Sequence, residues 1–561
     1  MEKPWLQSYP PGVPAEIDPE RFASLREVLE ESCRRFAERP AFSNMGTTLR
    51  YRDLDRLSRD FGAYLQGSLG LTKGARVALM MPNVLAYPAT LFGVLRAGLT
   101  AVNVNPLYTP RELRHQLQDS GARTIVILEN FAHTLEQVLE DTEVEHVIIA
   151  RIGDLHSGLK GALVNAVVRH VKKMVPAWHI SGTRPLGQAL TEGSRQQLEA
   201  VPLGPADVAF LQYTGGTTGL AKGAILTHRN MVANLEQAHA WLQPWLREGR
   251  EVIITALPLY HIFSLLANCI TFMRLGGENV LITNPRDMPG FVKELRKVPF
   301  TAITGVNTLF NGLLNNPDFA SLDFSHLRIT LGGGMAVQHA VAERWQQTTG
   351  VVLLEAYGLT ETSPAVCINP LNLSAYNGSI GLPVSSTEVA VMDEEGNELG
   401  PDTVGELCVR GPQVTQGYWN RPQETRAAFH RDGWFRTGDM ARIDARGFVY
   451  IVDRAKDMIL VSGFNVFPNE VEGVIAEHPD VLEVAVIGVY DAEKGERVKA
   501  VIVPRSEQTD RAGILDYCRQ NLTAYKVPRE IEFRKELPKT NVGKILRRAL
   551  REEGPGGQDA A

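Results

Sequence analysis

The stretch "YTGGTTGLAKGA", Tyr213 to Ala224, gathers four glycines, three threonines and one lysine into a short polar run. Glycines let backbone amides approach a ligand closely and adopt positive φ, and successive amides form an anion nest. Thr214, Thr217 and Thr218 add hydroxyl donors, and Lys222 adds a point charge. With Gly215, Gly216, Gly219 and Gly223, and Leu220 and Ala221 between them, the loop suits a triphosphate. It is not the G-x-x-x-x-G-K-[ST] nucleotide loop, because Lys222 stands between Ala221 and Gly223. Taken alone, the same run also reads as an ordinary flexible turn, so the remaining sequence must decide.

The elements around it alternate. "SLREVLEESCRRF" carries helical periodicity behind a capping-box signature, Ser24 with Glu27. Short apolar runs such as "ARVALMMP", "TIVILE", "EVIITALPL" and "TAITGV" interleave with amphipathic stretches such as "YRDLDRLSRDFGAYLQ", "FVKELRKV" and "VAERWQQTTG". That alternation predicts an α/β fold with parallel sheets covered on both faces. After about Val384 short strands and glycine-rich turns predict a smaller β-rich subdomain, 384–453. A mixed α+β unit follows over 454–551, and 552–561 reads as a disordered tail. The expected organisation is a large N-terminal domain, 1–453, joined near "DRAKD" to a small mobile C-terminal one.

Composition narrows the class. The 561 residues allow several lobes at about 150 residues per domain. A net charge of -6 disfavours a nucleic-acid coat, so any anion must be held by a local site. Cys33, Cys269, Cys367, Cys408 and Cys518 are scattered without C-x-x-C spacing, which predicts reduced thiols and a cytoplasmic setting. The proline- and acid-bearing N-terminus disfavours export. Val252 to Met273 holds no charged residue and has the length of a membrane span, but Pro258, His261 and Asn268 suit a buried strand followed by a core helix.

Downstream of the glycine-threonine loop stand "LPLYHIF" (257–263), "EAYGLTETSP" (355–364), "GELCVRGPQVTQGYWN" (405–420), "GWFRTGDMARID" (433–444), "DRAKDMILVSGFNVFPNEVE" (453–472) and "LPKTNVGKILRR" (537–548). In this order the set resembles the adenylate-forming acyl-CoA synthetases of the AMP-binding superfamily, from near residue 24 to near 551. The intervening wording, including "VNVNPLYTPRELRHQLQDSGA" and "TAITGVNTLFN", is similar to that of bacterial long-chain fatty-acyl-CoA synthetases. The resemblance implies a ligase converting fatty acid, ATP and CoA to acyl-CoA, AMP and pyrophosphate with Mg2+. A medium-chain or aryl-acid ligase of the same superfamily is the nearest alternative. A non-catalytic acyl- or nucleotide-binding protein is the alternative from another class.

The resemblance also implies roles. The 213–224 loop would clamp the β- and γ-phosphates. Glu361 would coordinate Mg2+, which is seldom held by an all-protein cage, and Thr360 would contact the α-phosphate. Tyr357 would stack on adenine beside the backbone of Gly332, Gly333 and Gly334. Asp439 would accept both ribose hydroxyls, and Arg454 would add a ribose or phosphate contact. Lys544 would bridge the carboxylate and the α-phosphate. Lys456 would be the pivot about which the last domain rotates, bringing Gly463 beside pantetheine. Ala455 departs from the second basic residue that close relatives often carry there. Gly305, Val306 and Phe310 would line the acyl channel. His261 is either a satisfied core histidine or a channel residue. Without the resemblance, Asp439 reads as a turn cap, Glu361 as a helix cap and Lys544 as one solvated lysine among many.

One segment lies outside these motifs. Leu159 to Trp178 places Leu159, Leu163, Val167, Val171 and Met174 on one helical stripe, with Lys160, Arg169, Lys172 and Lys173 elsewhere and no acid between Asp154 and Glu192. It resembles an interfacial amphipathic helix that docks reversibly on anionic membrane; the alternative is a helix packed on the N-terminal domain with a solvated basic side. Oligomeric state is left open, a homodimer being compatible with the sequence.

Overall fold

The computed structural model describes residues 3–214, 221–430, 432–461, 464–491, 495–540 and 542–552. Among them, a seven-stranded sheet runs in the order Arg184–Pro185, His146–Ala150, Thr124–Leu128, Arg76–Met80, Thr100–Asn103, Val208–Thr214 and Lys222–Thr227. All its neighbours are parallel except the last pair, the stems of the glycine-threonine loop. The strand Thr124–Leu128, "TIVIL", is buried at every position, as a strand covered on both faces requires.

A nine-stranded sheet forms the second layer. Its parallel centre includes Leu353–Gly358, Ile329–Gly332, Ala302–Gly305 and Val252–Thr255, and antiparallel strands close both edges. The helix His228–Leu242 is buried along nearly its whole length, and Thr227 and Asn230 form a capping box at its start. The charge-free segment after Val252 is the expected buried strand followed by core helical turns through Arg274. No helix among the described residues is long and apolar enough to cross a membrane. All five cysteines are buried and free.

A four-stranded antiparallel sheet, Glu388–Met392, Gly405–Arg410, Phe435–Ile443 and Val449–Arg454, leads into a final lobe built on the long hairpin Val481–Asp491 and Gly495–Pro504. The molecule is thus α/β, with a large parallel-sheet portion and a smaller C-terminal one. We propose the lobe boundary at 453/454, where the last strand of the four-stranded sheet gives way to the turn at Ala455–Asp457.

One local expectation fails. The helix Leu25–Arg35 forms, but Ser24 makes no side-chain cap and its hydroxyl is buried without a partner. Glu27 instead accepts from the Ala23 amide at 2.8 Å. The amide of Leu25 donates to His228 Nδ1 at 3.2 Å, a tertiary contact that replaces part of the local cap.

Candidate active site

The loop stems are fixed from outside. Thr214 and Lys222 are register partners on adjacent strands; Gly215, Gly216, Thr217, Thr218, Gly219 and Leu220 lie outside the described residues. Tyr213 is buried, its hydroxyl donates to Asp119 Oδ2 at 2.7 Å, and its ring lies against Gly223. It is therefore an anchor of the hairpin, its hydroxyl engaged by Asp119. Asp119 also pairs with Arg421 at 2.7 Å. The carbonyl of Ala221 lies 2.9 Å from His115 Nε2. Ala224 bridges to Tyr418, and the amide of Trp419 donates to the Gly223 carbonyl at 2.8 Å.

Tyr418 joins the loop to the carboxylate on the other side. Lys222 Nζ sits 5.4 Å from its ring centroid, within cation–π range, and its hydroxyl donates to Glu361 Oε1 at 2.7 Å. Thr360 and Glu361 occupy a short 3-10 turn directly after the strand Leu353–Gly358, and the Glu361 carbonyl accepts from the Thr415 amide at 2.7 Å. Glu361 thus presents one carboxylate oriented by a tyrosine. A single carboxylate of this kind can serve an ion whose shell is completed by phosphate oxygens and water, as that of Mg2+ commonly is.

Tyr357, Asp439 and Arg454 form one hydrogen-bonded unit. Tyr357 donates to Asp439 Oδ2 at 2.5 Å, and Arg454 Nε lies 3.0 Å from Asp439 Oδ1. Asp439 and Arg454 are partners across adjacent strands, so the sheet itself sets the pair. A carboxylate has about four lone-pair sites, which leaves acceptor capacity for hydroxyls of a bound sugar. Gly332 ends its strand and Gly333 donates to the Gly305 carbonyl at 3.1 Å. A Cβ at Gly333 would come within 3.1 Å of the Ala356 carbonyl and the Phe263 ring, and Gly334 has φ +77°, so this crossing needs glycine.

Lys544 reaches this cluster from the last lobe. Its loop is a tight turn in which the Thr540 amide donates to the Lys544 carbonyl at 2.6 Å and the Lys544 amide to Thr540 Oγ1 at 3.0 Å. Burial, reinforced by Arg454 and partly opposed by Asp439, brings the Lys544 ammonium down to about 8. Burial likewise takes His261 to about 4, with Lys544 adding to the shift, so the imidazole is neutral near pH 7. His261 caps the turn Ile262–Ser264, its Nδ1 3.4 Å from the Phe263 amide. It is a satisfied cap and also a neighbour of Lys544.

The remaining expected residues divide. Val306 is buried next to Gly543. Gly305 lies against the Phe310 ring, and Phe310 is fully buried, edge-on to Trp345 with centroids 4.9 Å apart. Phe310 therefore packs behind the strand end. Lys456 is exposed in the turn after Val449–Arg454; Gly463 lies outside the described residues. Sequence reasoning gave no role to Tyr418, although it was inside a quoted motif. It also missed Arg547, which holds Glu472 at 2.7 Å, Asn469 at 2.5 Å and Asp453 at 3.4 Å. Burial raises Asp453 to about 6 despite that guanidinium.

A hairpin closed on an aromatic strap, a carboxylate–tyrosine–arginine unit and an amine from the last lobe together make up the candidate site. The chain belongs to the AMP-binding enzyme family: residues 29–419 match that family and residues 470–544 match the AMP-binding enzyme C-terminal domain. It is 58% identical over 559 residues to the long-chain-fatty-acid–CoA ligase of Escherichia coli O157:H7, covering 100% of both chains. To the ligase of the same name from Haemophilus influenzae it is 51% identical, covering 99% of each. Among solved structures, the anthranilate CoA ligase AuaEII in complex with anthranoyl-AMP superposes with a TM-score of 0.85 at 26% identity, covering 96% of this chain and 99% of that one.

Competitive amine labelling followed by mass spectrometry should titrate Lys544 with a midpoint of about 8, well below the usual lysine value of about 10.4. Asp439→Asn should lower it further, because that carboxylate supports the charge. A midpoint in the ordinary lysine range would contradict the described burial.

Proposed function

We propose that this chain is an ATP-dependent ligase that joins long-chain fatty acids to coenzyme A through an acyl-adenylate, releasing AMP and pyrophosphate. The observation that carries the reading is its likeness, along the whole of both chains, to long-chain-fatty-acid–CoA ligases. A free carboxylate cannot expel oxide, so the carboxylate oxygen attacks the α-phosphate of ATP, the bond to the β-phosphate breaks and pyrophosphate leaves. The thiol of CoA then attacks the mixed anhydride carbonyl and AMP leaves.

Both partners of the first step are anions, and the roles follow from that. The 213–224 loop with Lys222 holds the β- and γ-phosphates. Tyr357 meets the adenine against the Gly332–Gly334 backbone, and Asp439 with Arg454 receives the ribose. Glu361 with phosphate oxygens would hold Mg2+, whose positive charge would offset the negative charge of the phosphates. Thr360 contacts the α-phosphate. Lys544 places its ammonium between carboxylate and α-phosphate, where negative charge is most crowded in the transition state, and so lowers the barrier rather than merely the binding energy. Val306 and His261 border the acyl path; each buried methylene adds about 0.8 kcal/mol to binding, which favours long chains. For the second step the last lobe turns about Lys456 and carries Lys544 away while the segment around Gly463 approaches.

Lys544→Ala should reduce adenylation, read as ATP–pyrophosphate exchange, by a factor of about 10² or more, and spare thioester formation from supplied acyl-adenylate. Because the ammonium is the active form, kcat/KM for adenylation should fall as pH rises through about 8. Equal loss of both half-reactions in the variant would contradict the role.

We further propose that the segment Leu159–Met174 docks on anionic bilayer. The helix Gly158–Ala166 exposes Leu159, Ala162, Leu163 and Ala166, and Val171, Lys172, Lys173 and Met174 are exposed just beyond it. The expected stripe is adjusted in two respects. Val167 is half-buried, and two of the four basic residues have partners in the chain: Lys160 donates to the Met45 carbonyl at 2.5 Å and Arg169 pairs with Glu129 at 2.5 Å. Lys172 and Lys173 remain as the outward charge. Neutralising both to Gln should lower co-sedimentation with phosphatidylglycerol vesicles several-fold, and unchanged co-sedimentation would refute the docking.

A further inference from the structure

The helix Asn307–Leu314 has two faces with different duties. Leu309, Phe310 and Leu313 face the core with Trp345. Thr308, Asn311 and Asn315, spaced three and four apart, form one stripe on the helix surface. All three reach across to the last lobe. Thr308 Oγ1 donates to the Gly543 carbonyl at 2.9 Å, Asn311 Nδ2 donates to the Leu482 carbonyl at 3.0 Å, and Asn315 Oδ1 accepts from Arg505 at 3.2 Å.

The seat is close-fitting at the residue before Lys544. Gly543 has φ +84°, and a Cβ there would stand 2.9 Å from Thr308 Oγ1 and 3.2 Å from Val306 Cγ2. It is also self-limiting. Asn315 Oδ1 takes a second guanidinium, that of Arg344 in the large portion, at 3.2 Å. Two like charges therefore share one amide oxygen, and Arg505 adds to the burial that lowers Arg344. Neutral hydrogen bonds opposed by like charge give docking that is specific in geometry yet reversible, as an interface made and broken every turnover requires.

We propose that the Thr308–Asn311–Asn315 face is the docking cradle of the Lys544 loop: Thr308 is a positioning residue that seats Lys544 for adenylation, and the three contacts are released together when the lobe turns for thioester formation. This rests on the adenylating role assigned to Lys544 above. Each neutral hydrogen bond shifts such an equilibrium by a factor of roughly 2–10.

The test compares both half-reactions in the full chain. Thr308→Val should lower ATP–pyrophosphate exchange roughly 5-fold while leaving thioester formation from supplied dodecanoyl-adenylate unchanged or faster. Thr308→Ser should restore exchange, and Gly543→Ala should reproduce the Thr308→Val imbalance more strongly. A merely structural role would slow both half-reactions together and lower the melting temperature, without rescue by serine; that outcome overturns the proposal. Lys544→Ala, run alongside, separates the two claims. If it retains exchange, the reading of the lysine fails; if it loses exchange while Thr308→Val and Gly543→Ala keep it, the cradle fails.

Discussion

One constraint governs the site: an ammonium carried by the last lobe is buried beside Asp439 and Arg454. Burial weakens the hold of Lys544 on its proton, and Arg454 pushes the same way. Asp439 opposes both, and Asp439 is itself held by Arg454 and Tyr357. The cost of bringing a charge out of water is thus offset by a carboxylate whose position is set by strand register rather than by a flexible loop. An anion bound beside Lys544 would raise its pKa and strengthen the ammonium, so occupancy of the site and charge on Lys544 support each other.

That constraint explains why polar residues collect where the lobes meet. A dry, apolar junction would lock the lobes, whereas the proposed cycle, with Lys544 in place for one half-reaction and away for the next, calls for contacts weak enough to exchange with water. Arg547 plays the complementary part within the last lobe and at its junction. It ties the helix beginning at Pro468 to Asp453 and Asp457, on either side of Lys456, so in this arrangement the stretch bearing Lys544 is fastened to the linker.

Much of this was legible in the sequence. Alternation of apolar runs and amphipathic stretches specified parallel sheets, and the fixed order of short motifs specified the residues brought to one cleft. What escaped was nonlocal. Ser24 and Glu27 have the spacing of a capping box, yet His228, distant in sequence, takes over part of the cap. Tyr213 reads as part of a phosphate loop, but its hydroxyl belongs to Asp119. Phe310 reads as channel wall and lies in the core with Trp345. Tyr418 has no local signal at all; its importance lies in lying between Lys222 and Glu361, which only the folded chain reveals. The same holds for Thr308, whose partner Gly543 is in another lobe.

In the proposed complex the joint hold of Lys544 on the α-phosphate and Asp439 on the ribose of one nucleotide carries the chemistry. It is tested most directly by a crystal structure of the chain with a non-hydrolysable alkyl phosphonate analogue of dodecanoyl-AMP. The account predicts Lys544 Nζ within hydrogen-bond distance of the phosphonate oxygens while Asp439 binds the ribose hydroxyls and Thr308 still holds Gly543. A nucleotide seated away from Asp439, or a phosphonate with Lys544 pointing to solvent in this same lobe arrangement, would contradict it.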